Sequence, residues 1–374
     1  MTNAADRINH LNSGLMVASC AAAFLIPFEL FLLAYAVLGP LHYLTEISWI
    51  HDRRYFVDPE RSARGRRRMK LWLALVGVTL AVMVYGLVAE KLLASPVSPA
   101  WEIGLFYLVF VAAALLIFGS NELVAAGAIM LTGFGLLLFS GSPYYGLIAF
   151  LIITIVHVLL FTAAFILFGA LRARSRSGAL SFVVFVLCVL TFFLVVPGPL
   201  APASAFVRQS YGPFETLNAQ LIPILGLGPG TALREIYEAP AGAMVMRLIA
   251  FAYTYHYLNW FTKTSVIGWN RISKPRAAAI LLLWLAAVAL YAYDYLLGFI
   301  VLYSLSVLHV MLELPLNHQS FAGIGRELFS LRRPRAAPAL APARVSRKAA
   351  RNARRHRLQT AVRRPGGRAA RPPA

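Results

Sequence analysis

The chain has 374 residues, 59% of them hydrophobic and only 13% charged, with a formal net charge of +20. So few charges among so much Leu, Ala, Val and Phe exclude an ordinary soluble domain. The two cysteines, Cys20 and Cys188, have no CxxC partner, which excludes thiolate zinc and dithiol redox chemistry and leaves two buried free thiols as the expectation.

Nearly uncharged stretches long enough to cross roughly 30 Å of hydrocarbon predict an all-α, polytopic membrane bundle of about nine transmembrane helices. The first span is expected at 15–44. It includes Val17-Ala18-Ser19-Cys20, similar to a lipoprotein cleavage box, but the apolar stretch 15–18 is too short for a signal h-region. Further spans are expected at 71–89, 101–119, 123–140, 146–170 and 179–197. A Pro- and Gly-rich connection, 198–243, follows, with 214–227 apolar enough for a short helix on or dipping into the membrane. Residues 226–230, GLGPG, lack the lysine and the strand–helix setting of a phosphate loop and read as a turn. The last spans are placed at 244–262, 277–293 and 295–314, with Asp294 as the turn between the final two.

From residue 331 the composition changes to Pro, Ala and 14 Arg or Lys, without one acidic residue. Such a segment cannot bury a core. The expected organisation is a transmembrane helical domain, 1–330, and a disordered basic tail, 331–374, held against anionic membrane lipids. No aromatic residues are interleaved for base stacking, so no specific nucleic-acid partner is expected. Basic residues cluster after the first, fifth and seventh spans (Arg53 to Lys70, Arg172 to Arg176, Lys263 to Arg276). With an odd span count this places the N-terminus outside and the C-terminus in the cytoplasm. A bacterial cytoplasmic membrane is the expected location.

The chemistry-bearing residues gather near the basic side. His42 and Glu46 stand four residues apart, as do His309 and Glu313, so each pair shares one helix face in an apolar setting. Tyr253, His256, Asn259 and Lys263 form one polar stripe along another apolar helix. His51 and His318 follow just beyond the spans. Pro40 is expected to open the backbone beside His42. Pro315 is expected to end the last span so that Asn317 and His318 fold back. His42, His256 and His309 are therefore candidate metal ligands. His157, alone in mid-span, reads equally as a ligand or as a helix–helix hydrogen bond. Glu46 and Glu313 are candidate ligands or orienting groups, and Asn259 and His318 complete the candidate catalytic set.

Glu29 is an intramembrane carboxylate, and Asn121-Glu122 would flank the cluster. Tyr43, Trp49, Trp260 and Trp269 read as interface anchors. Imidazole with carboxylate suits iron, manganese or zinc, and open positions on such a set suit non-haem iron that activates dioxygen.

GPLHYLTE, FAYTYHYLNWF and SVLHVMLELPLNH resemble, in order and setting, the histidine-bearing helices of the Brp/Blh-like bacterial membrane β-carotene dioxygenases. The early histidine-glycine segment of that family is replaced here by Leu41-His42-Tyr43. The resemblance implies non-haem iron, dioxygen and a carotenoid or other isoprenoid substrate. The sequence thus points to a membrane-embedded metal oxidoreductase or oxygenase acting on a lipophilic substrate. The alternatives are a proton- or ion-coupled transporter using the same cluster, and a metal-free lipid transferase with His318 or His256 as base.

Overall fold

In hydrocarbon a backbone has no water to bond, so apolar stretches satisfy their own N–H and C=O groups as helices. The computed structural model describes residues 4–57, 63–93, 95, 99–118, 152–195, 203–228, 236–263 and 272–332, and every regular element among them is helical. The expected span 123–140, the start of the one at 146–170, Asn121, Glu122, Trp269 and the tail beyond 332 lie outside the described residues.

The helices are α1 (Ala4–Leu25), α2 (Pro27–Leu33), a π-helical turn (Ala34–Leu38), α3 (Gly39–Asp52), α4 (Ala63–Leu92) and α5 (Pro99–Phe118). A π-helical stretch (Ile152–Phe161) runs into α6 (Thr162–Ala173), followed by α7 (Arg176–Leu194). The short α8 (Ala205–Tyr211) and α9 (Glu215–Ile224) precede α10 (Pro240–Thr262), α11 (Lys274–Tyr293) and α12 (Tyr295–Arg332). Among the described residues, six helices are long and apolar enough to cross a membrane. They are α1, the continuous run α2–α3, α4, α7, α11 and α12. This is consistent with an integral membrane protein.

The segment expected as one span at 15–44 is two. Ile26 leaves the helical region (φ −137°, ψ 57°) because the ring of Pro27 disfavours helical backbone in the residue before it. The chain then reverses. Asn12 accepts a hydrogen bond from Thr262 at 2.9 Å, whereas the Phe24 carbonyl accepts from Arg247 at 3.3 Å, so α1 runs antiparallel to α10. Thr45 accepts from Trp260 at 3.0 Å and Phe31 meets Tyr253 at 5.2 Å, so α2–α3 runs parallel to α10.

The N-terminal end of α1 therefore shares one end of the bundle with Asp52 and Lys263. That corrects the expectation of an N-terminus opposite the basic loops. Asn9 confirms the level by donating to Ser177 at the start of α7 (2.9 Å).

The final hairpin follows the sequence reading. Asp294 is extended (φ −151°, ψ 117°), and its carboxylate accepts from the Leu297 N–H at 2.8 Å, capping α12. Helix α11 returns antiparallel to α2–α3, with Arg276 on Asp52 at one end and Tyr291 against Tyr35 further along. Helix α12 runs alongside them, from Tyr295 on the Leu32 carbonyl (3.1 Å) to Gln319 on that of Phe56 (2.7 Å). Pro315 does not end α12, which continues unbroken to Arg332. A proline removes only its own N–H from the ladder, and neighbouring helices hold the backbone on either side.

Helix α10 is the axis of this arrangement. Fifteen of its 23 residues are buried, and Arg247, Thr254, His256 and Asn259 keep it out of the strongly apolar set. Surrounded by protein rather than lipid, it can carry polar groups that a peripheral helix could not. Its far half packs with α2, α8 and α9 in an aromatic core around Phe31, Tyr211, Phe214 and Phe251. Helices α8 and α9 thus bury apolar faces against the bundle, and α9 is the short helix expected within 214–227. Gly226 (φ 68°) and Gly228 (φ 140°) form the expected turn after α9.

Candidate metal centre

Four helices deliver one side-chain cluster near the basic end. His42 and Glu46 come from α3, His157 from the π-helical stretch before α6, His256 from α10, and His309 and Glu313 from α12. None of the six is more than 6% exposed.

Their local geometry begins with helix irregularities. The π turn at 34–38 directly precedes Gly39-Pro40, where Pro40 has no N–H to give to the preceding turn. One π turn holds an extra residue and rotates everything after it about the helix axis, and such turns recur at functional sites. This one sets the face on which His42 and Glu46 point inward. The second π stretch, 152–161, carries His157 itself. The helix continues through Pro40, so the backbone beside His42 is not opened there; the irregularity is the π turn that ends one residue before Gly39.

The imidazoles converge closely. His256 Nε2 lies 3.1 Å from His42 Nε2, and one donor atom from each of His42, His256 and His309 lies within 4.8 Å of the others. The His157 ring centre is 5.1 Å from that of His256 and 5.2 Å from that of His309. The carboxylates close the group. Glu46 Oε2 is 3.0 Å from His42 Nε2, and Glu313 Oε2 is 3.3 Å from His157 Nδ1. Glu46 and Glu313 also face each other, and Lys263 faces both. Glu313 thus reaches across to the histidine of another helix rather than serving His309 on its own.

The donors fit a metal ion. Both ring nitrogens of His157 and of His309, His42 Nδ1, Glu46 Oε2 and Glu313 Oε2 are buried without an aligned hydrogen bond. The short His–Glu approaches are contacts of position, not made hydrogen bonds. Buried polar atoms without partners are costly, and a cation among them would satisfy several at once. A 3.1 Å spacing between two ring nitrogens suits neighbouring ligands placed about 2.1 Å from a shared ion.

Surrounding residues set the rings. Thr162 Oγ1 lies 2.9 Å from His256 Nδ1; with Nδ1 donating to that hydroxyl, Nε2 turns its lone pair to the centre. The Tyr43 ring stacks on His309 at 4.2 Å and its hydroxyl bonds that of Tyr257 at 2.7 Å. Gly39 makes room for this pair, since a Cβ there would stand 3.1 Å from the Tyr43 hydroxyl.

The other sequence candidates distribute unevenly. Asn259 borders the cavity beside the cluster, and its Oδ1 is buried without a partner. His318 is not in the cluster; its Nε2 contacts the Phe110 carbonyl at 3.1 Å and its ring packs on Phe110. His51 is exposed beside Asp52, and Glu29 is exposed in the first turn of α2. Tyr43 is 2% exposed, so it is a core residue and not an interface anchor. Sequence reasoning passed over Thr162, a hydroxyl inside an apolar span that carries no signal of its own.

The cavity beside the cluster has a volume of about 260 Å³. Trp49, Phe165, Phe168, Trp260 and Leu316 give it apolar walls, while His42, Glu46, His256 and Glu313 border it from the centre. A redox-capable ion here would face a space suited to hydrocarbon. Comparison with protein-family models, curated proteins and solved structures finds no match to this chain.

Proposed function

We propose that the protein is a membrane-embedded, non-haem metal oxidoreductase of the oxygenase type, acting on a lipophilic substrate such as a carotenoid, isoprenoid or lipid. One observation carries this reading: a buried cluster of four histidines and two carboxylates, several of whose polar atoms lack an aligned hydrogen bond, meets an apolar-walled cavity through His42, Glu46, His256 and Glu313. Imidazole and carboxylate donors suit iron, which when bound supplies dioxygen activation. His42, His256 and His309 would hold the ion, with His157 completing the set. Glu46 and Glu313 would ligate or orient, and the cluster of Lys263 and the two carboxyls would balance charge beside the ion. The apolar walls would seat the reacting part of the substrate and exclude water from it. Thr162 and Tyr43 would fix the rings of His256 and His309.

The basic residues at the centre's end of the bundle support a cytoplasmic location for that end. Substrate would then reach the cavity laterally from the bilayer. The test is elemental analysis of purified protein, with one iron per chain expected. Protein that carries no transition metal, and takes up none after anaerobic incubation with ferrous iron, would overturn the proposal.

A further inference from the structure

A second cavity, of about 220 Å³, lies between α1, α6, α7 and α10, and its lining differs from the first. Asn9, Asn12, Ser175 and Ser181 line one side of it, beside apolar residues that include Met16, Phe165 and Ile166. These groups belong to a polar series leading inward from the N-terminal end of α1. Ser177 donates to Asp6 at 2.5 Å, Asn9 donates to Ser177, and Ser13 and Ser181 share a hydrogen bond of 2.9 Å. Deeper in, Thr262 donates to Asn12 at 2.9 Å.

Two polar residues connect this cavity with the centre. Asn259 and Lys263 line both cavities, together with Phe165 and Gly169. Asn259 is 6% exposed and its Oδ1 has no partner. Lys263 faces the Glu46 and Glu313 carboxyls. A buried amide oxygen without a partner, at a cavity roomy enough for water and bordered by further polar groups, is what an ordered water satisfies.

We propose that this cavity, along its line of serines and asparagines, is a solvent corridor that brings water and protons from the basic face of the bundle to the Glu46–Glu313 carboxyl pair. It is distinct from the apolar-walled cavity at the centre, and Asn259 and Lys263, with Phe165 and Gly169, form the partition between the two. Intramembrane polar side chains are costly and typically mark such pathways. If the serines and asparagines only glued helices together, they would need no enclosed space between them. The inference depends on the cluster's position and not on which ion it holds.

Cysteine accessibility tests it in the full-length chain with Cys20 and Cys188 replaced by serine, in lipid nanodiscs. The probe is a charged methanethiosulfonate ammonium reagent, which reacts with thiolate and so requires water at the sulfur. Arg176→Cys is the aqueous reference and Leu187→Cys, on a lipid-facing surface, the dry one. Asn12→Cys and Ser181→Cys are expected to react within about tenfold of the aqueous reference, while Leu187→Cys stays inert because an apolar setting suppresses the thiolate. Asn259→Cys should react more slowly and accelerate when combined with Lys263→Ala.

Ser13→Cys repeats the test should Asn12→Cys fail to fold. Asn12, Ser13 and Ser181 cysteines as inert as Leu187→Cys would overturn the corridor. Reactive outer positions with Asn259→Cys inert in both backgrounds would overturn its connection to the centre. Metal content, measured on the same samples, decides the proposed function separately.

Discussion

Glu313→Gln separates a metal centre from a purely structural polar cluster. Glu313 is 2% exposed, lies 3.3 Å from His157 Nδ1 and faces Glu46. Glutamine keeps the shape and one acceptor oxygen, so helix packing should survive. It removes the negative charge that a bound cation would feel and weakens the hold on the His157 ring. Changes to groups that orient metal ligands commonly cost 10–100-fold in affinity, or about 1.4–2.7 kcal/mol of binding free energy. The expected result is a loss of that size for iron, measured by competition with a chelator of known affinity, with helicity and elution volume unchanged.

If the main effect of Glu313 on the ion runs through the His157 ring, the double variant Glu313→Gln/His157→Asn should bind about as poorly as His157→Asn alone. Residues in contact are not additive in this way by accident. Equal iron affinity in wild type and Glu313→Gln would refute the placement of Glu313 in the centre. Full additivity of the two changes would refute the route through His157.

Glu29→Gln, at an exposed position in the first turn of α2, should leave iron content at the wild-type level, checked by elemental analysis. Tyr43→Phe should preserve the stack on His309 but lose the hydroxyl contact to Tyr257, costing roughly 0.5–1.5 kcal/mol in thermal or denaturant stability. Phe31→Ala removes a fully buried ring that touches Tyr35, Tyr211, Phe214 and Tyr253. In a bilayer that costs packing without a transfer term, so its loss in an unfolding assay should fall below the roughly 3–5 kcal/mol of a soluble core. Removing the chain after 332 should leave iron content unchanged, because all six cluster residues precede it.

How far the sequence showed this centre depended on where each residue's partners lie. His42 with Glu46, His309 with Glu313, and the stripe from Tyr253 to Lys263 each repeat at helical spacing, so one helix face was enough to read them. His157 has no ionisable neighbour at that spacing. Its partner is Glu313 on another helix, and no local pattern records a contact between helices far apart in the chain. The turn at Asp294 was legible because a carboxylate interrupts an apolar run. The turn at Ile26 was not, because Pro27 and Glu29, which mark the place, read equally as a proline and a carboxylate inside one span. Reading 15–44 as one span reversed the N-terminus, and with it the polar residues of α1 were placed far from Lys263. Tyr43 looked like an interface anchor because an amphipathic ring near a span end fits a membrane interface as well as a buried hydrogen bond.

The centre also bears on how the bundle holds together. Its candidate ligands arrive from α3, the stretch before α6, α10 and α12, and apolar attraction between helices is weak in lipid. Without an ion, His157, His309 and the two carboxyls leave several buried polar atoms unsatisfied, which opposes their assembly. An ion that binds only the assembled site converts that penalty into a cross-link between four helices. By mass action its contribution grows with free metal, reaching about 2.7 kcal/mol at a hundredfold excess over the dissociation constant. The metal-loaded protein should therefore unfold at a higher temperature than the chelated one, and the gap should widen with each tenfold rise in free iron. Glu313→Gln should shift that dependence to higher iron without changing its slope, since it weakens the ion's binding but not the number of ions bound. A thermal midpoint indifferent to iron would mean that the packing of Phe31, Tyr211 and Phe251 around α10 holds the helices by itself, and that the cluster tolerates its own unsatisfied atoms.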